Sequence, residues 1–158
     1  MATKNYMRVE NVVKKFGPFT ALDGVDLDVT PGEVHALLGD NGAGKSTLIK
    51  ILSGVHQPSS GTIYVDDKEV YFRNPRDAAA AGIGTVYQDL AINQLMSVTR
   101  NFFMGRELTS TFGILRMDEM DKIAHEEMKK IGIDFTDPSQ AVGTMSGGQR
   151  QTLAIARA

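Results

Sequence analysis

The stretch Glu33-Val34-His35-Ala36-Leu37-Leu38-Gly39-Asp40-Asn41-Gly42-Ala43-Gly44-Lys45-Ser46-Thr47-Leu48 changes character twice in quick succession. Residues 34–38 form an apolar run broken only by His35, which fits a short strand covered on both faces. Residues 39–44 are a loop by composition. From Lys45 the pattern is helical, with Leu48, Ile51 and Leu52 on one face and Gly54 placed to end the helix. Gly39 to Ser46 satisfies G-x-x-x-x-G-K-[ST], and it lies between a strand and a helix start, where the mechanism of that pattern requires it. Glycines let the backbone bend until successive N–H groups converge on phosphate oxygens, and a helix start adds unpaired N–H groups and partial positive charge. Lys45 supplies a mobile cation for terminal phosphates, the Ser46 hydroxyl a ligand for Mg²⁺, and Thr47 a further phosphate contact. Without a ligand the same run would be only a glycine-rich turn between strand and helix.

Outward from this loop, residues 7–13 and 25–29 alternate or cluster apolar and β-branched side chains and predict half-buried antiparallel strands, with Thr30-Pro31-Gly32 as a turn. Pro58-Ser59-Ser60-Gly61 is a second turn. A hairpin is expected from residues 62–65 and 69–72 around Asp66, Asp67 and Lys68. Asn74 offers an N-cap oxygen, Pro75 suits the first helical position, and Gly82 stops that helix. Residues 83–87 read as another short buried strand. Residues 89–116 are mixed loop and helix. Met120, Ile123, Ala124, Met128 and Ile131 then recur at helical spacing, with Glu126 and Lys130 placed to pair on the solvent face. Ser146-Gly147-Gly148 opens a last helix through Leu153, Ala154 and Ile155.

The chain has 158 residues, 42% hydrophobic and 23% charged, which suits a globular domain and excludes a disordered tail or a rod. A formal charge of −2 provides no field to draw nucleic acid or anionic lipid, and Lys14 with Lys15 is too small a patch to argue for nucleic acid. The absence of cysteine excludes disulfides, thiolate zinc sites and a cysteine nucleophile. No apolar run approaches the roughly 20 residues of a membrane span, and residues 1–10 lack the apolar stretch of a signal peptide. A soluble, non-secreted protein is expected.

Two further motifs accompany the phosphate loop in order: Tyr87-Gln88 after an apolar run, and Met145-Ser146-Gly147-Gly148-Gln149-Arg150-Gln151. They resemble the Q-loop and the signature of ATP-binding-cassette (ABC) ATPases, and the resemblance covers nearly the whole chain. It implies an α/β P-loop NTPase fold with an antiparallel β subdomain and a helical subdomain. The expected boundaries are residues 1–88 for the nucleotide core and β subdomain, 89–145 for the helical subdomain and 146–158 for the signature helix. It further implies ATP and Mg²⁺ as ligands. Gly39, Asn41, Gly42, Ala43, Gly44, Lys45, Ser46 and Thr47 would cradle the phosphates, and Lys45 and Gln88 would serve catalysis. Ser46 and Gln88 would hold Mg²⁺, while Ser146, Gly147, Gly148 and Gln149 would face the ATP of a partner cassette. Phe16 stands where the family stacks an aromatic on adenine; a core phenylalanine is the alternative.

Ile51-Leu52-Ser53-Gly54-Val55, Arg73-Asn74-Pro75-Arg76-Asp77-Ala78 and Asn101-Phe102-Phe103-Met104-Gly105-Arg106-Glu107 look most like carbohydrate importers. That likeness implies a second cassette, tandem or homodimeric, a transmembrane permease and, indirectly, a periplasmic or extracellular sugar-binding protein, with no nucleic acid. It also implies a cytoplasmic position on the inner face of the plasma membrane. Asp40 stands where many such importers have glutamate, and Met145 replaces the usual leucine. The family's Asp-Glu pair and switch histidine do not follow the signature, and His35, His56 and His125 all precede it, so an incomplete cassette is expected, lacking the strand beside the phosphate-loop strand. The alternatives are a nucleic-acid or ribosome-associated cassette ATPase and a module that binds nucleotide without hydrolysing it. Met96, Met104, Met117, Met120 and Met128 could line a groove for a permease helix or simply fill a core. Asp118, Glu119 and Asp121 are read as complements to a helix dipole rather than as a metal site.

Overall fold

A computed structural model describes residues 6–87, 90–132 and 137–157. It divides into two compact units, Met1–Gly84 and Thr85–Ala158.

In the first unit, β1 (Met7–Phe16) and β2 (Phe19–Val29) form a long antiparallel pair. β3 (Ser60–Val65) lies on the other side of β1, and β4 (Lys68–Val70) completes a sheet of order β2-β1-β3-β4. The β3–β4 hairpin turns on Asp66 and Asp67, both with positive φ, at the expected place. Two positive-φ residues in succession give a turn whose twist matches that of the strands it joins. α1 (Lys45–Leu52) buries Leu48 and Ile51 with Val9, Val12 and Ile63 of the sheet. Burial on this scale contributes about 1.5–3 kcal/mol per side chain. α2 (Pro75–Ala80) starts as its sequence dictates, with the Asn74 side chain accepting from the N–H groups of Arg76 and Asp77 and Pro75 in the first turn.

The two strands expected at 34–38 and 83–87 are not formed. Both segments run without ladder partners among the described residues, and Val34 is 98% and Leu38 85% exposed. An apolar run predicts that a segment can be buried in a sheet, but it becomes a strand only when neighbouring chain satisfies its N–H and C=O groups. Among the described residues, 34–38 form no ladder with the antiparallel sheet of their own unit.

In the second unit, α3 (Val98–Phe102), α4 (Met117–Lys130), a 3₁₀ turn (Val142–Thr144) and α5 (Gly147–Arg157) enclose a core of Val98, Phe102, Met120, Met128, Met145 and Leu153. Met120 and Met128 are fully buried and fill that core, whereas Met104 lies at the surface. Lys130 pairs with Glu127 at 2.6 Å rather than with the expected Glu126. Three residues' separation is as close on a helix surface as four, and the local rotamers select between them. Asp118 and Glu119 sit in the first turn of α4, and among the described residues no cluster of metal-ligating side chains occurs. No described helix is long and apolar enough to cross a membrane.

Candidate functional site

The loop that feeds α1 is built on positive-φ glycines: Gly39 at +149°, Gly42 at +91° and Gly44 at +83°. Gly44 is both the left-handed N-cap of α1 and its point of contact with β2, since a Cβ there would meet the Ala21 carbonyl oxygen and Leu22 Cδ2, each at 2.6 Å. No other residue type fits both the φ and the space. The helix has no side-chain cap, and its first backbone bond inside the described residues runs from Leu48 N–H to Gly44 O at 2.9 Å. Among the described residues the N–H groups of Lys45, Ser46 and Thr47 meet no acceptor, so three donors and the positive end of the helix dipole open onto one spot. Lys45 folds back so that its ammonium donates to the carbonyls of Gly39 at 2.5 Å and Asp40 at 2.7 Å. Ala43 N–H closes the loop on Asp40 O at 3.2 Å, and Asn41 and Ser46 are exposed. The donor set fits an anionic, multi-oxygen ligand: backbone amides, a mobile cation and a hydroxyl on one loop.

Phe16 ends β1 and is 44% exposed, so it is not a core residue. His56 meets its ring edge-on, with centroids 5.4 Å apart, and Lys14 Nζ lies 5.0 Å from the ring centroid while donating to Gln57 O at 2.6 Å. Lys14 is thus committed to the Phe16 and Gln57 surroundings. Gln88 lies outside the described residues.

The segment that leads toward the loop begins with a carboxylate-closed turn missed by sequence reading. Glu33 accepts from Thr30 N–H at 2.9 Å and from the Thr30 hydroxyl at 2.8 Å, and its other oxygen lies 2.8 Å from His35 Nδ1. The Thr30 backbone N–H, and after it the His35 ring, lower its pKa to about 2. A carboxylate three residues after a threonine was the available signal.

In the second unit, Ser146 N–H donates to Gln149 Oε1 at 2.9 Å and Gln149 N–H to the Ser146 hydroxyl at 3.3 Å, a reciprocal capping box at the start of α5. Met145 is buried beneath it. Gly147 and Gly148 face open space: a Cβ on either would meet nothing within 4 Å. Internal packing therefore gives no reason for two glycines where helix propensity favours alanine by about 1 kcal/mol each. Asn101 was quoted in the sequence only as part of a family likeness, and it proves to be fully buried. It organises the turn before α3 by accepting from Asn93 N–H and donating to the Asn93, Met96 and Ser97 carbonyls.

A family model described as ABC transporter matches residues 22–158, which include the loop, α1 and α5. The chain belongs to the ABC transporter family. Among curated members, a xylose/arabinose import ATP-binding protein of Sulfolobus acidocaldarius is 44% identical over 96% of this chain and 60% of its own length. A ribose import ATP-binding protein of Geobacillus kaustophilus is 42% identical over 95% of this chain and 30% of its own. The chain thus spans 30% to 60% of the length of these two curated relatives. Among solved structures, a dimeric ATP-binding cassette in a post-hydrolysis state, bound to ADP and Pi, superposes with a TM-score of 0.73 at 26% identity, over 96% of this chain and 68% of that one. The likeness covers both units of the ABC transporter chain.

Proposed function

We propose that this chain is the ATP-binding part of an importer for a sugar, and that it binds the phosphates of ATP on the loop Gly39–Thr47. The observation that carries the reading is the cluster of acceptor-free N–H groups at Lys45, Ser46 and Thr47 above a loop of positive-φ glycines. The sugar-import names of its relatives support the substrate class.

Lys45 exchanges its two carbonyl partners for the terminal phosphates, a short swing for a side chain already lying over the loop. Asn41, Gly42, Ala43 and Gly44 line the cradle. Ser46 and Gln88 would hold Mg²⁺, which when bound neutralises charge on the phosphate oxygens. Phe16, exposed at the end of β1, offers a ring face to adenine. Ser146 and the open amides of Gly147 and Gly148 present a second helix start to the ATP held by another cassette, and the unoccupied space around both glycines supports a close approach from outside the chain. Gln88 orients the attacking water. The dimeric relative supports a second cassette as partner, and a membrane permease and an external sugar-binding protein complete the importer, with this chain on the cytoplasmic face.

Steady-state hydrolysis by the complete polypeptide tests the reading. Lys45→Ala should lower kcat by at least about a hundredfold, the scale expected when a transition-state cation is removed. Wild-type turnover in that variant would refute it.

A further inference from the structure

α5 bears the Ser146 capping box at one end and Arg157 at the other. From the far end Arg157 reaches the segment that begins two residues after Gln88. Its Nη2 donates to Leu90 O at 3.0 Å and its Nη1 to Ala91 O at 3.1 Å. Ala91 has φ +47, a left-handed conformation uncommon for a residue with a Cβ, and the guanidinium grips the carbonyls on both sides of it.

The same segment is held at its other end by the chain just before the capping box. Gly143 N–H donates to Gln94 O at 2.8 Å and Val142 N–H to Met96 O at 3.0 Å, and this 3₁₀ turn runs directly into Met145 and Ser146. Burial contributes at Ile92, which packs on the core, and at half-buried Leu90, whereas Leu95 is 92% exposed. Directed hydrogen bonds do the holding: Arg157 of α5 grips one end, the 3₁₀ turn that leads into α5 holds the other, and Asn101 of α3 bonds to Asn93, Met96 and Ser97 between them.

We infer that Arg157 is a positioning residue for the nucleotide reaction, tying the segment that leads away from Gln88 to the signature helix so that a shift in either is passed to the other. This rests on the reading of the chain as an ATP-hydrolysing cassette. The planar fork suits the task, because it spans two successive carbonyls, whereas a lysine ammonium reaches them only as a point charge.

The test is steady-state hydrolysis of Mg-ATP by the complete polypeptide carrying Arg157→Gln, Arg157→Lys, Ala91→Gly, or Arg157→Gln with Ala91→Gly, beside hydrogen exchange of the amides of residues 90–97. Arg157→Gln should lower kcat about tenfold or more while KM for ATP stays within about twofold, since a group acting only on the assembled reaction leaves ground-state binding unchanged. Exchange at 90–97 should quicken while α4 stays protected. Arg157→Lys should fall between, and it carries the test if Arg157→Gln does not fold. Ala91→Gly relieves the left-handed strain without restoring the tie, so kcat should stay low in the double variant. Wild-type kcat in Arg157→Gln, a raised KM at unchanged kcat, or full recovery in the double variant would overturn the proposal, the last by reducing Arg157 to a local support for Ala91. Retained hydrolysis in Lys45→Ala, where Arg157 is intact, would instead overturn the cassette reading.

Discussion

At Gly44 a methyl group would strike the Ala21 carbonyl and Leu22 Cδ2 on a backbone already at φ +83, so Gly44→Ala combines a steric clash with left-handed strain. A loss of about 2–4 kcal/mol in unfolding free energy is expected by denaturant titration. Gly147→Ala should behave in the opposite sense. Its Cβ enters open space at the start of α5, so stability should hold or rise by up to about 1 kcal/mol while hydrolysis by the paired cassettes falls. Loss of both stability and activity would show that Gly147 serves internal packing instead. Glu33 makes a pH prediction with a definite sign. Its pKa is lowered to about 2 from an ordinary 4.5, chiefly by the Thr30 N–H. Its contribution to stability is therefore complete above the unfolded value and is lost as pH falls from about 4.5 toward 2. Melting temperature against pH should drop less steeply across that window in Glu33→Gln than in the wild type.

Among the elements, α4 depends on its buried methionines, because Met120 and Met128 have no exposed surface and touch the core shared with α3 and α5. Met128→Ala should cost about 2–5 kcal/mol, measured by chemical denaturation, and a loss under 1 kcal/mol would place Met128 outside the packed core. α1, α2, α4 and the β3–β4 hairpin were legible because their signals are local: Asn74 with Pro75, two turn aspartates, and apolar spacing of three and four. Residues 34–38 and 83–87 were misread because a strand's partners lie elsewhere in the chain, and an apolar run carries no record of whether they are present. The motifs of the candidate site were legible for the same reason as the helices, since the loop, its lysine and the glycine pair of α5 each lie within a short run of sequence. Asn101 and Arg157 were not, because each acts through backbone atoms of residues that the sequence does not mark as partners, whereas Glu33 had a local signal in the threonine three residues before it that went unread.

For the molecule as a whole, each unit has its own hydrophobic core, one between α1 and the antiparallel sheet, the other among α3, α4 and α5. The loop Gly39–Thr47, proposed to bind phosphates, belongs to the first and the capping box of α5 to the second. Nucleotide bound at the loop should therefore stabilise the first unit directly, without requiring the capping box of α5. The most direct test of the central claim is thermal unfolding of this chain with increasing Mg-ATP, beside Lys45→Ala. The melting transition should rise with ATP in the wild type, by the equivalent of about 2.7 kcal/mol at a hundredfold excess over Kd, and stay still in the variant. A transition indifferent to ATP, or one that rises equally without Lys45, would contradict the assignment of Gly39–Thr47 as the ATP-binding site.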